Sequence, residues 1–319
     1  MKSWSRQGRK FALIPGIILV LLLSACGSDS STGSNGSSSG PTHLSIMVGG
    51  LSKQIYLPNK LTAQLGYFTQ EGLDVTLIDE ASGQSSENQV LAGQVDAGSG
   101  SYNHTIELQA AGKQMQSVVL LNVAPGEAEV VSAKAASQIH SVKDLLGKNL
   151  GVTELGSGTQ TLTTALLHNA GITADKVHFV PVGAGDTFIA ALQQGKIDAG
   201  MTTEPTISRI LSTGVGKVLV DLRTPESTQT AIGGPYPFIC LFMNNSYVSS
   251  HKGVVQKLVN AYVKTLKWIH THTATEIADK MPPDYYAGSK SLYVTALQNQ
   301  LSIFSPDGSM PSGAPESVL

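Results

Sequence analysis

The chain has 319 residues, with 21 Lys and Arg against 23 Asp and Glu, a net charge of −2 and only 14% charged side chains. With no basic run after residue 10, that balance argues against a nucleic-acid partner, whose phosphates demand clustered cations. The length is enough for two domains of ordinary size.

The first 25 residues read as an export signal. Lys2, Arg6, Arg9 and Lys10 form a basic head, and an apolar run from Phe11 to Leu23 follows, broken only by Pro15 and Gly16. That run is too short for a permanent span, which needs about 20 apolar residues; head, run and small terminal residues match a signal peptide over 1–25. Leu23-Ser24-Ala25-Cys26 resembles the bacterial lipobox, which implies cleavage before Cys26 and a lipid on its thiol. Residues 26–42 are nearly all Ser, Gly, Thr, Asn and Asp, a composition that cannot offset its ordering entropy and reads as a flexible tether. The other cysteine, Cys240, sits in the apolar run Phe238–Met243, where a small buried hydrophobe is expected, and no intrachain disulfide remains once Cys26 is lipidated.

Beyond the tether, short apolar runs alternate with amphipathic stretches. Strands are expected at His43–Val48, Leu73–Ile78, Val118–Val123, around Val152, at Val177–Val180 and at Ile197–Met201. Helices are expected around Lys60–Leu65, at Asn88–Ala92, from about Thr159, at Phe188–Gln194, and along an apolar stripe of Val254, Leu258, Ala261, Val263, Leu266 and Ile269. Such alternation predicts an α/β fold with largely parallel sheets flanked by helices.

One internal echo points to two similar halves. Gly93-Gln94-Val95-Asp96-Ala97-Gly98 recurs as Gly195-Lys196-Ile197-Asp198-Ala199-Gly200. In each copy the first Gly suits a left-handed helix cap, and the Asp suits bonding to turn amides ahead of a short buried strand.

These and other segments resemble the type II periplasmic-binding-protein family, in the branch serving nitrate, sulfonate, taurine and thiamine-pyrimidine importers. The likeness runs from about residue 43 to about 305. It is carried by Gly66-Tyr67-Phe68-Thr69-Gln70-Glu71-Gly72-Leu73-Asp74-Val75, by the two Asp-Ala-Gly turns, by Gly151-Val152-Thr153 with Gly156-Ser157-Gly158-Thr159, and by Thr203-Glu204-Pro205. The resemblance implies a two-lobed clamp with a ligand cleft between the lobes. Two chain crossings would lie near Ala124–Ala128 and Gly233–Pro237, so that lobe I is 43–126 plus 236–319 and lobe II is 127–235. Relatives continue into a further helix where this chain stops at Leu319, which leads us to expect a shortened C-terminus. The implied function is the extracytoplasmic solute-binding component of an ABC importer. It would be moored by lipid at the outer membrane face or in the periplasm, and would hand solute to permease and ATPase subunits.

Ligands of open α/β sheets sit at the carboxyl ends of strands, near helix N-termini. Four segments fit that position, and from them we expect the site to draw Ser52, Gln54 and Tyr56; Ser99, Ser101 and Tyr102; Gly156, Ser157, Gly158 and Thr159; and Thr203 and Glu204, with Pro205 opening a helix. Glycine lets backbone approach, hydroxyls cap helices or bond solute oxygens, and exposed N–H groups favour an anion, so an oxyanion fits without a lysine. Tyr56, Tyr102 and Tyr236 could stack on a flat ligand. Glu204, if it faces the cleft, would favour an amine and repel a bare anion. Charge alone leaves the solute open between a sulfonate, nitrate or taurine-like anion and a thiamine-pyrimidine-like amine.

Catalysis finds little support. No Gly-x-Ser-x-Gly elbow joins an expected strand to a helix (the pattern occurs only as Gly36–Gly40 within the tether), a phosphate loop and His-Glu-x-x-His are absent from the sequence, and His270 and His272 suit a helix C-terminus better than a metal. The superfamily's fungal thiamine-pyrimidine synthase carries a cysteine-rich iron motif that a single internal cysteine cannot supply. We therefore expect no enzyme activity, cofactor or metal. A solute sensor serving a membrane receptor would share the same clamp.

Overall fold

The structure, a computed structural model, describes residues 40–313 and 315–318. The expected signal peptide, Cys26 and nearly all of the tether lie outside them. Strand β1 (Thr42–Val48) already includes the tether's last expected residue, because Thr42 pairs with Leu73 and its N–H donates to Gly72 O at 3.0 Å.

Two five-stranded sheets form the frame. The first holds β1, β2 (Leu73–Asp79), β3 (Ala97–Ser101), β4 (Met115–Leu120) and a late strand, Ile239–Asn244, in the spatial order β2-β1-β3-late strand-β4. The second holds β5 (Glu127–Ser132), β6 (Asn149–Val152), β7 (His178–Pro181), β8 (Ala199–Thr203) and β9 (Gly216–Leu222), in the order β7-β6-β8-β5-β9. With the late strand named β10, β5 and β10 occupy the same place in their sheets. Each runs antiparallel to both neighbours, whereas the strands around β1 and β6 pair in parallel. The fold class is the expected mixed α/β layering.

The helices that carry the cleft are α1 (Leu57–Gln64), α2 (Tyr67–Gln70), α3 (Gly83–Leu91) and α4 (Asn103–Ala110) on the first sheet, and α5 (Gly158–Asn169), α6 (Asp186–Gln194) and α7 (Thr206–Thr213) on the second. α8 (Pro225–Ile232) leads back to β10, and α9 (Asn245–Ser250) follows it. The long helix α10 (Lys252–Ile269) buries Val255, Leu258, Ala261, Tyr262, Thr265, Leu266 and Ile269, one stripe at helical spacing, while Val254 and Val263 flank it half-buried. That stripe packs on α1 and α2: Tyr262 meets Phe68 edge-on at 5.5 Å and its hydroxyl donates to Asn59 Oδ1 at 2.7 Å. α11 (Ala274–Lys280) and α12 (Lys290–Gln298) complete the first half. The largest apolar cluster joins Leu44, Ile46, Leu61 and Leu241 to Leu162, Leu166, Met201 and Leu222 of the second half, so apolar packing crosses between the halves. Among the described residues no helix is long and apolar enough to cross a membrane.

The echo occupies equivalent positions. Gly93 and Gly195 take left-handed φ of 68° and 74° after α3 and α6. The two aspartates do not bond turn amides, as the sequence suggested. Instead each reaches the neighbouring parallel strand one residue before the pairing of the two strands begins. Asp96 Oδ2 accepts from Ser45 N and Ser45 Oγ, both at 2.8 Å, and Asp198 Oδ2 accepts from Asn149 N at 2.9 Å. In return the Asp96 and Asp198 N–H groups donate to Ser45 O and Asn149 O. Each aspartate thus sets the register of β3 on β1 or of β8 on β6.

The expected strand Val118–Val123 also ends early. Val123 N donates to Ile303 O, and Leu121 N and Asn122 N both donate to Ile239 O, so 121–123 belongs to the passage between sheets and leaves the ladder. An apolar run alone carries no mark of where a ladder stops. The passage closes on Gly126, whose φ is 69° and where a Cβ would lie 2.5 Å from Ile303 Cδ1 and 2.8 Å from Ile55 Cγ2. Only glycine fits both the backbone angle and the space.

We predict that Asp96→Ala and Asp198→Ala each lower stability by about 1–3 kcal/mol in urea denaturation, the usual cost of stripping partners from part-buried backbone donors. Unchanged midpoints would show that the ladders hold register without them.

Candidate functional site

The site lies where the two halves meet. A cavity of about 20 Å³, enough for roughly one water, is lined by Lys53, Tyr56, Ser82, Gly83, Ser101 and His104 of the first half and by Glu127, Thr153, Ser157, Gly158 and Thr159 of the second, with Ile55 and Phe238 as apolar walls. Two helix N-termini face it, α3 at Ser82-Gly83 and α5 at Ser157-Gly158, both presenting N–H groups with partial positive charge.

Contacts across the cleft hold the halves close. The Ser82 and Ser85 hydroxyls donate to Glu154 Oε2, the latter at 2.8 Å. Asn103 Nδ2 donates to Thr161 Oγ1 at 3.3 Å, and Gln54 N donates to Glu204 O at 3.0 Å. A Cβ on Gly158 would stand 2.9 Å from Phe238 Cζ and 3.0 Å from Ser101 Cβ, so the start of α5 rests almost on β3.

The thirteen residues expected at the site separate into groups. Tyr56, Ser101, Ser157, Gly158 and Thr159 line the cavity. Ser157 and Thr159 also serve their own loop: their hydroxyls lie 2.7 Å apart, Ser157 Oγ donates to Glu154 O, and Thr159 Oγ1 accepts from Thr153 N. Ser52 is exposed at an outer groove beside Asp79, Glu80 and Arg209. Gln54 is buried away from the cavity, bonding Tyr293 O and Gln300. Ser99 accepts from Asn59 Nδ2 at 3.2 Å, and Tyr102 N donates to Phe238 O. Gly156 sits on an exposed loop near Gln84, and Tyr236 packs against Phe238 beside a groove lined by Val123, Pro225 and Pro237. Thr203 is buried next to the cavity, opposite Glu127 in the β5–β8 ladder.

Glu204 neither faces solvent nor enters the cavity. Its carboxylate is fully buried, bonded to Arg223 Nη1 at 2.9 Å and to Ser208 N at 2.9 Å, so its charge caps α7 and is neutralised. Pro205 occupies the cap position before Thr206 and lies outside the helix proper.

The charges that do face the cavity went unread in the sequence. Lys53 Nζ donates to Gly49 O at 2.7 Å and Ala81 O at 2.8 Å. Burial lowers its pKa to about 8, against the raising influence of Glu127, Asp79 and Glu154. Glu127 is 3% exposed and its Oε2 has no hydrogen-bond partner among the described residues; burial pushes its carboxyl up to about 8, opposed by Lys53 and reinforced by Glu129. His104, fully buried, lies 3.3 Å from Glu87 Oε2, and desolvation lowers it to about 4. Ser82 and Thr153, the latter at the head of an expected binding segment, add neutral hydroxyls to the lining. A faint signal for Glu127 existed: two acids at alternate positions, 127 and 129, on one face of an otherwise apolar strand.

The chain matches the family described as NMT1/THI5 like over residues 58–275. The chain belongs to that family. A solved structure from Bordetella bronchiseptica RB50 is 34% identical, covers 87% of each chain and superposes with a TM-score of 0.83. The alkanesulfonate-binding protein SsuA from Xanthomonas axonopodis pv. citri, solved bound to MOPS, is 16% identical over 86% of this chain and 89% of its own, with a TM-score of 0.68. YtlA of Bacillus subtilis (strain 168), whose name marks it as a candidate binding protein, is 20% identical over 96% of this chain and 87% of its own. This NMT1/THI5-like chain therefore has the two-sheet fold of periplasmic binding proteins.

Glu129 offers a test of the cleft's electrostatics. It is fully buried, accepts from Thr163 Oγ1 at 2.8 Å, and burial raises its pKa from 4.5 to about 8. The folded chain thus keeps a proton that the unfolded chain releases near pH 4.5, and stability from this group drains away as pH rises through about 8. We predict that Glu129→Gln matches wild type at pH 5 and exceeds it at pH 9 by about 1 kcal/mol or more, since one pKa unit is about 1.4 kcal/mol. Equal stability at both pH values in chemical denaturation would contradict the assignment.

Proposed function

We propose that this chain is the extracytoplasmic solute-binding component of an ABC-type importer, a clamp that delivers a small solute to membrane permease and ATPase subunits and catalyses no reaction. The observation that carries the reading is the cavity between two sheets, walled by buried polar side chains from both. In this reading the lobes are residues 43–126 with 236–319 and residues 127–235, hinged at 121–126 and 233–238. A cavity the size of one water means that a solute enters only when the halves part. Closure then re-forms the contacts of Glu154 with Ser82 and Ser85, and of Asn103 with Thr161, around it. Binding names among the fold neighbours, such as alkanesulfonate for SsuA, indicate the scale of solute that such a cleft takes.

Cys26, carrying a lipid after removal of residues 1–25, would hold the clamp at the membrane and raise its effective concentration near the permease. The tether's composition and the lipobox-like Leu23–Cys26 support this part of the reading.

Two experiments test it. In a thermal-shift screen of the full chain in detergent against sulfonates, nitrate, bicarbonate and aminopyrimidines, one class should raise the melting temperature by several degrees. A solute at a hundredfold excess over Kd adds about 2.7 kcal/mol. No shift with any class would contradict solute binding. Cys26→Ser should move the protein from the membrane to the soluble fraction; unchanged fractionation would reject the anchor.

A further inference from the structure

Most polar atoms around the cavity already have partners. Lys53 spends two donors on Gly49 O and Ala81 O, Ser101 donates to Asn103 Oδ1, and Ser82 donates to Glu154. Ser157 and Thr159 bond each other and their loop. Two lining residues are exceptions: His104, whose ring nitrogens lack a hydrogen-bond partner among the described residues but which stands 3.3 Å from Glu87 Oε2, and Glu127. The latter is 3% exposed, it lines the cavity, and its Oε2 is unpartnered among the described residues. Its cross-strand neighbour Thr203 adds a second buried oxygen without a partner, Oγ1, on the same face of the sheet. A buried carboxylate without a partner is costly, and one set in a ligand cleft is supplied with a partner when the ligand brings a donor.

The surrounding charges favour the same sign of ligand. Glu127 shares its strand face with Glu129, and Glu154 and the Glu87–His104 pair stand nearby. Arg223 pairs with Glu204 and Asp221, His104 stays neutral through burial, and Lys53, which lines the cavity and acts on Glu127, gives its hydrogen bonds to Gly49 O and Ala81 O and not to the carboxylate. The N-termini of α3 and α5, with the third donor of Lys53, suit an oxygen acceptor. The cavity lining therefore offers both an acceptor and donors.

Resting on the solute-binding reading above, we propose that Glu127 is the specificity-determining acceptor of the cleft and that the solute presents it with a hydrogen-bond-donating nitrogen. Glu127, and not Glu204, then decides between a bare oxyanion and an amino-bearing solute. The nitrogen's N–H groups bond Glu127 Oε2, while an acceptor on the same solute meets the start of α5 and Lys53. An oxyanion without nitrogen leaves Glu127 Oε2 without a donor.

The test is calorimetry on the full chain in detergent with three matched pairs: 2-aminoethanesulfonate against ethanesulfonate, 3-aminopropionate against propionate, and 4-aminopyrimidine against pyrimidine. The amino member should bind at least tenfold tighter in one pair or more. Glu127→Gln, isosteric and free of the buried charge, should erase that preference without lowering the melting temperature. Glu129→Gln, one turn of the pleat away, should retain it. Tighter binding of an oxyanion lacking nitrogen, unaffected by Glu127→Gln, overturns the inference and leaves solute binding standing. Binding by none of the six removes the inference, and an accompanying lack of any response in the thermal-shift screen removes the solute-binding reading with it.

Discussion

Three backbone hydrogen bonds at the waist of the molecule govern its architecture. Leu121 N and Asn122 N donate to Ile239 O at 2.8 and 3.1 Å, and Phe238 N donates to Asn122 O at 2.9 Å. They join the two passages by which the chain leaves the first sheet and returns to it. Because each passage delivers a strand from the other half, β5 and β10 enter their sheets antiparallel, and the two sheets acquire the same order. Asn122, fully buried, also donates through Nδ2 to Ile55 O at 3.1 Å, tying the waist to the turn that carries Lys53 and Tyr56. Gly126 completes it, since no other residue fits both its angle and its space. In the clamp we propose, these two short paired segments are the hinge about which the layers rotate while the ladders stay intact.

The cleft's chemistry follows from where that waist sits. Glu127 is the first residue of β5, so the crossing itself carries a carboxylate into the gap between the halves. Desolvation there raises Glu127 and lowers Lys53 and His104, each toward its uncharged form, and the donors of α3 and α5 offset only part of that cost. Groups strained in this way are poised for a ligand that supplies the missing partners.

Local features of this arrangement were legible in the sequence. The stripe along α10, the apolar runs of β1 and β2, and the paired Gly-x-x-Asp turns are set by spacing within a few residues, and spacing survives in one dimension. The start of α5 was legible too, because Gly156–Thr159 combines backbone freedom with capping hydroxyls. Charges were not. Glu204 looked like a cleft residue until Arg223, nineteen positions on, was folded against it. Lys53 lies between two residues chosen for the site, yet it alone of the three reaches the inner cavity, as the turn at 54–56 rotates Ser52 outward and Gln54 into the core. Partners distant in sequence decide whether a charge is spent or available, and a single chain of letters does not disclose them.

The hinged closure at the waist is tested most directly by small-angle X-ray scattering of the full chain in detergent, with and without the solute that gives the largest thermal shift. The account predicts that the solute contracts the protein component, lowering its radius of gyration as the halves shut on Glu127 and the start of α5. Superimposable profiles at saturating solute would mean that the halves do not move, and the clamp mechanism would be wrong.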